Sequence, residues 1–518
     1  MGAHNISDSM VVGQIVGGND KEIEMREKKG VDLELGNLLA IENEDKKYLL
    51  MVSALEYGSL IHESRLVTSA GSMLEGTNPN IVFPESDLTI YRSIKVKILL
   101  EMKASLGKVV ARPPRSIPKF MSQARDVVNS DFSFLEEPKN KIYLGRIRSG
   151  TKVLDYKYSM DGGDMLSHHV LISAQTGRGK SNLVKVMLWE AMKHDRFGML
   201  VMDVHNEYYG HGQEKGLKDH PDARKALAYY SKSPPPGQKS LRINLKCIVP
   251  QDILGILELS EPQKETLEYY HKKFKKDWIS SLMAFDEEEK VNPGTLRALR
   301  RKFGNLFNLH EQPDGAFACS DDVFDMETMG EGIINDMADA MEMGKTVLVD
   351  GSSISDDTGL IITSAVLREV FYRYDDYKTQ GILKTKPQIG VVLEEAPRVL
   401  AGAYGQNVFS RIAREGRKFK IGLLAVTQLA SMIPKDILAN IGTKVIMGNE
   451  MALERKTLME SSAQDLTAYD QIIAGLDKGE AIVSSIFSKF PVPIQIPLFD
   501  DIARTEVQAT NRKPVTLF

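Results

Sequence analysis

The chain has 518 residues, of which 42% are hydrophobic and 26% charged, and its formal net charge is −4. That length predicts roughly two to four domains, at least one of them large enough for a substantial core. The slightly acidic balance excludes a molecule that is basic all over, so any contact with nucleic acid has to be local, as in a lined channel. Cys247 and Cys319 are the only cysteines, and they stand far apart without a metal-ligand pattern, which fits a reduced compartment. No apolar run approaches the roughly 18 residues of a membrane span. Met1-Gly2-Ala3-His4-Asn5 lacks the charged and apolar regions of a signal peptide. A soluble, cytoplasmic protein with no membrane partner is the expectation.

Taken in chain order, residues 11–16, 36–41, 47–52, 88–91 and 94–99 read as short strands, with a helical or loop-like interval around Gly58 and Gly71. Short strands punctuated by turn residues predict a small β-barrel or sandwich. It holds no catalytic cluster, so assembly or docking is its expected role. Pro113-Pro114-Arg115-Ser116-Ile117-Pro118 then breaks the pattern and marks a boundary. Residues 142–147 and 153–156 turn extended again.

Next comes His169-Val170-Leu171-Ile172, a β-branched apolar run that reads as a buried strand. It is followed by Ser173-Ala174-Gln175-Thr176-Gly177-Arg178-Gly179-Lys180-Ser181, and residues 182–190 read as a helix. A strand, a Gly-containing turn ending in Gly-Lys-Ser and a helix together make a phosphate-binding loop. Glycines let successive N–H groups face one anion, and the helix N-terminus adds partial positive charge. Lys180 is expected to reach the β- and γ-phosphates of ATP, and the Ser181 hydroxyl to ligate Mg²⁺. The pattern asks for glycine where this chain has Ala174, the next smallest residue.

Residues 198–203 form a second apolar strand, ending in Asp203-Val204-His205-Asn206-Glu207-Tyr208. In open parallel sheets this C-terminal edge is where ligands sit, which makes Asp203, His205 and Glu207 candidates for the nucleotide site. Residues 248–344 carry helical patterns and much charge and read as an insertion. Lys272, Lys273, Lys275 and Lys276 near Trp278, and the run 295–303, are either solvated helix faces or contacts to DNA phosphates.

The sheet resumes at residues 346–350, and a helix follows at about 361–372. Ile389-Gly390-Val391-Val392-Leu393 then runs into Glu394-Glu395, the pattern of a Walker B strand. Glu394, where aspartate is usual, is expected to hold the metal and Glu395 to polarise the attacking water. The basic run 411–420 is either a solvated helix end or the source of an arginine finger, Arg414 or Arg417. A further strand at 421–427 ends at Gln428, placed to sense the γ-phosphate or orient water. Strands at 444–448 and 480–484 complete the series, and the polar tail with Pro514 packs along another surface or frays.

Together these residues resemble the HerA family, within the HerA/FtsK superfamily of hexameric DNA-pumping ATPases. The resemblance covers nearly the whole chain. It rests on the N-terminal β-region, Thr176 to Asn182, Asp203 to Tyr208, Glu394-Glu395-Ala396, Arg414 to Lys418 and Thr427-Gln428, and Asp-x-His-x-Glu-Tyr discriminates best. It implies an α/β protein whose RecA-like P-loop ATPase core carries a helical insertion and follows a HAS-type barrel. It also implies a homo-hexameric ring that threads double-stranded DNA, with an arginine acting in trans. A NurA-type nuclease in DNA-end processing, or another effector in phage defence, is the implied partner. The family comparison adds a weak nucleotide contact near Ser484-Ser485-Ile486.

On this reading the barrel occupies 1–105, a linker 106–141, the core 142–247 and 345–498, the insertion 248–344 and a tail 499–518. Thr176, Gly177, Arg178, Gly179, Lys180, Ser181 and Asn182 form the nucleotide cradle. Two other functions fit the same motifs. One is a motor of the type IV secretion or conjugation kind, and the other a nucleotide-gated assembly protein that barely hydrolyses ATP.

Overall fold

The computed structural model describes residues 10–77, 86–105, 108–284, 291–313, 317–320, 323–401 and 407–511. The N-terminal stretch read for a signal peptide and the end of the tail with Pro514 lie outside the described residues.

Seven strands build the N-terminal unit: β1 (Val11–Gly18), β2 (Ile23–Glu27), β3 (Leu38–Asn43), β4 (Lys46–Ser59), β5 (Ile90–Ser105), β6 (Lys108–Arg112) and β7 (Gln123–Asp126). Their order is β2-β1-β7-β3-β4-β5-β6, and β2 also pairs with β5, which closes six antiparallel strands into a barrel with β6 appended. Of the two β architectures the sequence leaves open, the barrel forms. Closure removes the open edges that a six-stranded sheet would expose.

Strand β7, which joins β1 to β3, lies inside the stretch read as a linker, so the barrel runs past residue 105. Gln123-Ala124-Arg125-Asp126 has one apolar residue facing the barrel core and no alternation for a periodicity argument to find. Residues 88–91 and 94–99, read as two strands, belong mainly to the single long β5, and the interval containing Gly71 is the helix Glu63–Leu74.

Strand β3 explains how the barrel is seated. Leu39 and Ile41 point into the barrel, while Leu38 and Ala40 on the other face join the large core of the rest of the chain. Alternate side chains of a strand point to opposite faces, so a strand buried on both sides reads as a continuous apolar run. Gly150, at φ +57°, caps this junction, where an added Cβ would lie 2.3 Å from the Asn37 amide. Its N–H donates to Gly36 O at 3.1 Å.

The second unit is a 12-stranded sheet. Its strands are β8 (Lys141–Ser149), β9 (Lys152–Asp161), β10 (Val170–Ser173), β11 (Phe197–Asp203), β12 (Leu227–Ser231) and β13 (Lys239–Ser240). They continue with β14 (Thr346–Asp350), β15 (Gln388–Leu393), β16 (Ile421–Thr427), β17 (Thr443–Met447), β18 (Glu480–Ser485) and β19 (Val492–Gln495). The order is β13-β12-β14-β11-β15-β16-β10-β17-β18-β19-β8-β9. Strands from β13 to β17 in that order are parallel, and the remainder are antiparallel. Helices cover both faces of the parallel part, which is why its central strands are apolar throughout. The fold class is α/β, with a RecA-like P-loop core.

The insertion contains the helices Glu261–Phe274, Trp278–Ala284 and Pro293–Phe307, packed around Trp278, Leu299 and Phe303. Helix Ile333–Glu342 lies within the range read as insertion, yet it packs against β11 and β14 and belongs to the core. The tail begins as a helix, Phe499–Asn511, docked on the helix Lys180–Ala191: Trp189 Nε1 donates to Glu506 at 2.8 Å.

Lys444 on β17 is 2% exposed and has no carboxylate partner among the described residues. Its Nζ donates to the carbonyls of Leu438 (3.0 Å), Ile441 (3.1 Å) and Ser461 (2.5 Å). Burial lowers its pKa from 10.5 to about 8. Between those values the unfolded chain binds more protons than the folded one, so this group's contribution to stability rises with pH. We expect the melting temperature of the natural chain to climb relative to that of Lys444→Met between about pH 8 and pH 10. Parallel curves across that interval would refute the assignment.

Candidate nucleotide site

The strand order puts β16 between β10, which carries the phosphate-binding loop, and β15, which carries the paired glutamates. Register aligns Ser173 with Thr427 and Leu393 with Ala425, so the loop, Gln428 and Glu394 share one C-terminal edge. Asp203 ends β11 on the same edge, beside β15. Buried His169 anchors the start of β10: its Nδ1 accepts from Leu423 N–H at 3.0 Å, and burial holds it neutral with a pKa of about 4.

Two residues of the loop are left-handed, Gly177 at φ +79° and Gly179 at φ +103°. These are the positions where only glycine avoids strain. Ala174 is fully buried and has no positive φ, so the departure at the first position needs no glycine. Its N–H donates to Thr427 O at 3.3 Å and its carbonyl accepts from Lys180 Nζ at 2.9 Å. Lys180 also donates to Gln175 O at 3.2 Å, which draws the ammonium over the loop. Burial lowers the Lys180 pKa, and the nearby Glu394 charge opposes that shift. Thr176 Oγ1 donates to Gln428 Oε1 at 2.8 Å, a direct link from the loop to the end of β16.

Three of the candidates have side chains bonded within the protein. The Arg178 guanidinium turns away to Leu476 O (3.1 Å) and Glu450 (2.9 Å). The Asn182 amide donates to Pro497 O and accepts from Phe499 N–H, both at 2.9 Å, and so ties the helix to the tail. Asp203 is 1% exposed, and its carboxylate accepts the N–H groups of Glu207 and Tyr208. Each of these three side chains is engaged by the protein itself. His205 and Glu207 stay exposed, within electrostatic reach of Glu394.

Glu394 is half-buried, and burial raises its pKa against the pull of the Tyr208 hydroxyl, which donates to its Oε1. No local pattern gives Tyr208 a role, and only the pairing of β11 with β15 brings it to Glu394. Glu395 is exposed and left-handed at φ +49°, and Ala396 N–H donates to Val426 O at 3.1 Å just beyond it. His205, Glu394, Glu395 and Arg398 line a small cavity of about 80 Å³ at this edge.

Arg414 and Arg417 lie elsewhere. Arg417 precedes β16, at the opposite end of the strand from Gln428, and is exposed; Arg414 faces Asp436 at 3.4 Å. A strand of seven residues spans about 20 Å at roughly 3.3 Å per residue. Ser484 and Ser485 also sit at that far edge, because Ser485 pairs with Thr443. Within one chain, neither they nor Arg417 approach the cradle.

Residues 142–370 match the family model described as the central domain of helicase HerA. The DNA double-strand break repair helicase HerA of Sulfurisphaera tokodaii is 25% identical over 509 residues, covering 95% of this chain and 94% of the relative. The protein of the same name from Saccharolobus solfataricus is 24% identical, covering 95% and 93%. Among solved structures, VirB4 of Thermoanaerobacter pseudethanolicus aligns with 70% of this chain and 97% of its own, at 13% identity and a TM-score of 0.42. The bacterial conjugative coupling protein TrwB aligns with 72% and 93%, at 13% identity and a TM-score of 0.41. The likeness that the motifs give to the HerA family therefore holds: residues 142–370 match the model of the HerA central domain, and the chain is similar to HerA proteins along almost its entire length.

Proposed function

We propose that the chain is an ATP-driven DNA translocase or helicase that works as a homo-hexameric ring on double-stranded DNA. The observation that carries this reading is the division of the site between two edges of one sheet. Lys180, Glu395 and Gln428 converge at the C-terminal edge, while the exposed Arg417 stands at the other. A donor so placed serves a neighbouring subunit's phosphate, and head-to-tail contacts of that kind close into rings. The similarity to repair helicases supports DNA as the track and DNA-end processing as the setting. A NurA-type nuclease or another effector would then receive the DNA.

The donor set at the cradle fits Mg²⁺. The Ser181 hydroxyl and the Glu394 carboxylate are hard oxygen donors on neighbouring parts of the same edge, beside the Lys180 ammonium. Bound there, the ion would neutralise phosphate charge. Glu395 takes the proton of the attacking water, and Gln428, held by Thr176, orients that water or senses the γ-phosphate.

Lys180→Ala is expected to abolish ATP turnover and weaken ATP binding by at least about 10-fold, because it removes the ammonium drawn over the loop, while the Arg178 guanidinium is turned to Glu450. Normal turnover in this variant would sink the assignment. The test of the whole reading is ATP hydrolysis with and without linear duplex DNA, with Glu395→Gln as control. Stimulation by duplex that is lost in the variant supports a DNA motor. Hydrolysis indifferent to duplex favours a secretion-type motor, and binding without hydrolysis favours a nucleotide-gated assembly protein.

A further inference from the structure

The loop after β11 is folded around a buried carboxylate. Asp203 accepts Glu207 N–H on Oδ1 at 2.8 Å and Tyr208 N–H on Oδ2 at 2.9 Å. This double contact fixes the backbone of Tyr208, whose ring is 2% exposed. The phenol then spans from β11 to its neighbour β15 and donates to Glu394 Oε1. Three links thus connect one strand end to the next: a buried carboxylate, a rigid aromatic ring and a second carboxylate.

The arrangement answers a problem posed by Glu394. A glutamate reaches one methylene further than an aspartate and has one more torsion to fix, so an unsupported carboxylate here would populate several orientations. A phenol hydroxyl is a single donor at the end of a stiff arm. It takes one carboxylate oxygen, Oε1, of a side chain that lies within electrostatic reach of Lys180. Groups that orient a metal ligand in this way tune affinity without touching the metal.

We propose that Tyr208 is a positioning residue for magnesium, holding the Glu394 carboxylate so that its other oxygen faces the ion beside Ser181. The proposal rests on the nucleotide-site reading above. It accounts for the pairing of an extended Walker B side chain with a tyrosine at the end of the Asp-x-His-x-Glu-Tyr element, and it assigns Asp203 the role of holding that tyrosine.

The test is equilibrium binding of a fluorescent ADP analogue to the full chain, with and without Mg²⁺. In the natural chain Mg²⁺ tightens binding. In Tyr208→Phe, which keeps the ring in the core, affinity without Mg²⁺ should stay within about two-fold, while the gain from Mg²⁺ should shrink about 10-fold. Glu394→Asp should lose a similar share of the gain, although aspartate is the usual residue, because the shorter arm no longer meets the phenol. The double variant should be no worse than the weaker single one, since both remove one contact. A full Mg²⁺ gain in either single variant, or losses that multiply in the double, would overturn the proposal. Should Tyr208→Phe fail to fold, Glu394→Asp carries the test, because it leaves the aromatic core untouched. Lys180→Ala separates the two readings. If it loses ADP binding while Tyr208→Phe keeps the gain, only the role of Tyr208 falls. If it binds like the natural chain, the nucleotide-site reading falls too.

Discussion

Glu395→Gln is expected to lower the rate of ATP turnover by about 10³-fold while leaving ATP affinity within about two-fold. The amide has the shape of the carboxylate but cannot take a proton from water. Glu395 is exposed at the end of β15, and its backbone is pinned by the bond from Ala396 N–H to Val426 O, so the substitution leaves the edge intact. Turnover close to that of the natural chain would remove Glu395 from the mechanism. A second variant isolates the backbone. Glu395 sits at φ +49°, where a side chain costs about 1–2 kcal/mol. Glu395→Gly should therefore be equally inactive, yet melt at a higher temperature than the natural chain. Such strain at a site of chemistry is kept because the carboxylate must project from that backbone. A lower melting temperature would mean that the side chain makes a stabilising contact instead.

Much of this site was legible because its chemistry is written in short, local patterns. Gly177, Gly179 and Lys180 must follow a strand and open a helix to bind phosphate, and glutamates directly after Leu393 mark a strand end at the ligand edge. The central strands were legible for a related reason: buried on both faces, β10, β11, β15 and β16 are unbroken apolar runs. What escaped is non-local. β7 has no periodic pattern, and pairing with β1 and β3 alone makes it a strand. β19 contains Pro493, which argues against an interior strand from sequence, yet the proline is accommodated opposite Ile482. The helix Ile333–Glu342 joins the core because its apolar face lies on β11 and β14, which no local pattern states. Side-chain direction was the least legible of all. Arg178, Asn182 and Asp203 stand inside binding motifs, but their hydrogen bonds run to Leu476, Pro497 and the 207–208 backbone. Tyr208 reaches Glu394 across 186 positions of sequence.

The distance between Arg417 and the cradle yields the second large effect. Arg417→Ala should reduce turnover by about 10³-fold or more with ATP affinity preserved, the signature of a donor that acts on the transferring phosphoryl group. Arg414→Ala should do less, because that guanidinium already faces Asp436. The decisive measurement mixes two inactive proteins. In a ring assembled from Arg417→Ala and Glu395→Gln subunits, some interfaces join an intact cradle to an intact arginine. With random assembly and independent sites, about a quarter of interfaces are complete, so turnover should return towards about a quarter of the natural rate. A cis arrangement predicts no recovery, because every subunit then carries its own defect. Co-expression with two different tags, followed by sequential purification, isolates the mixed rings. If they stay inactive while each variant still binds ATP, Arg417 does not act across the interface. The ring is then no longer needed to complete the site.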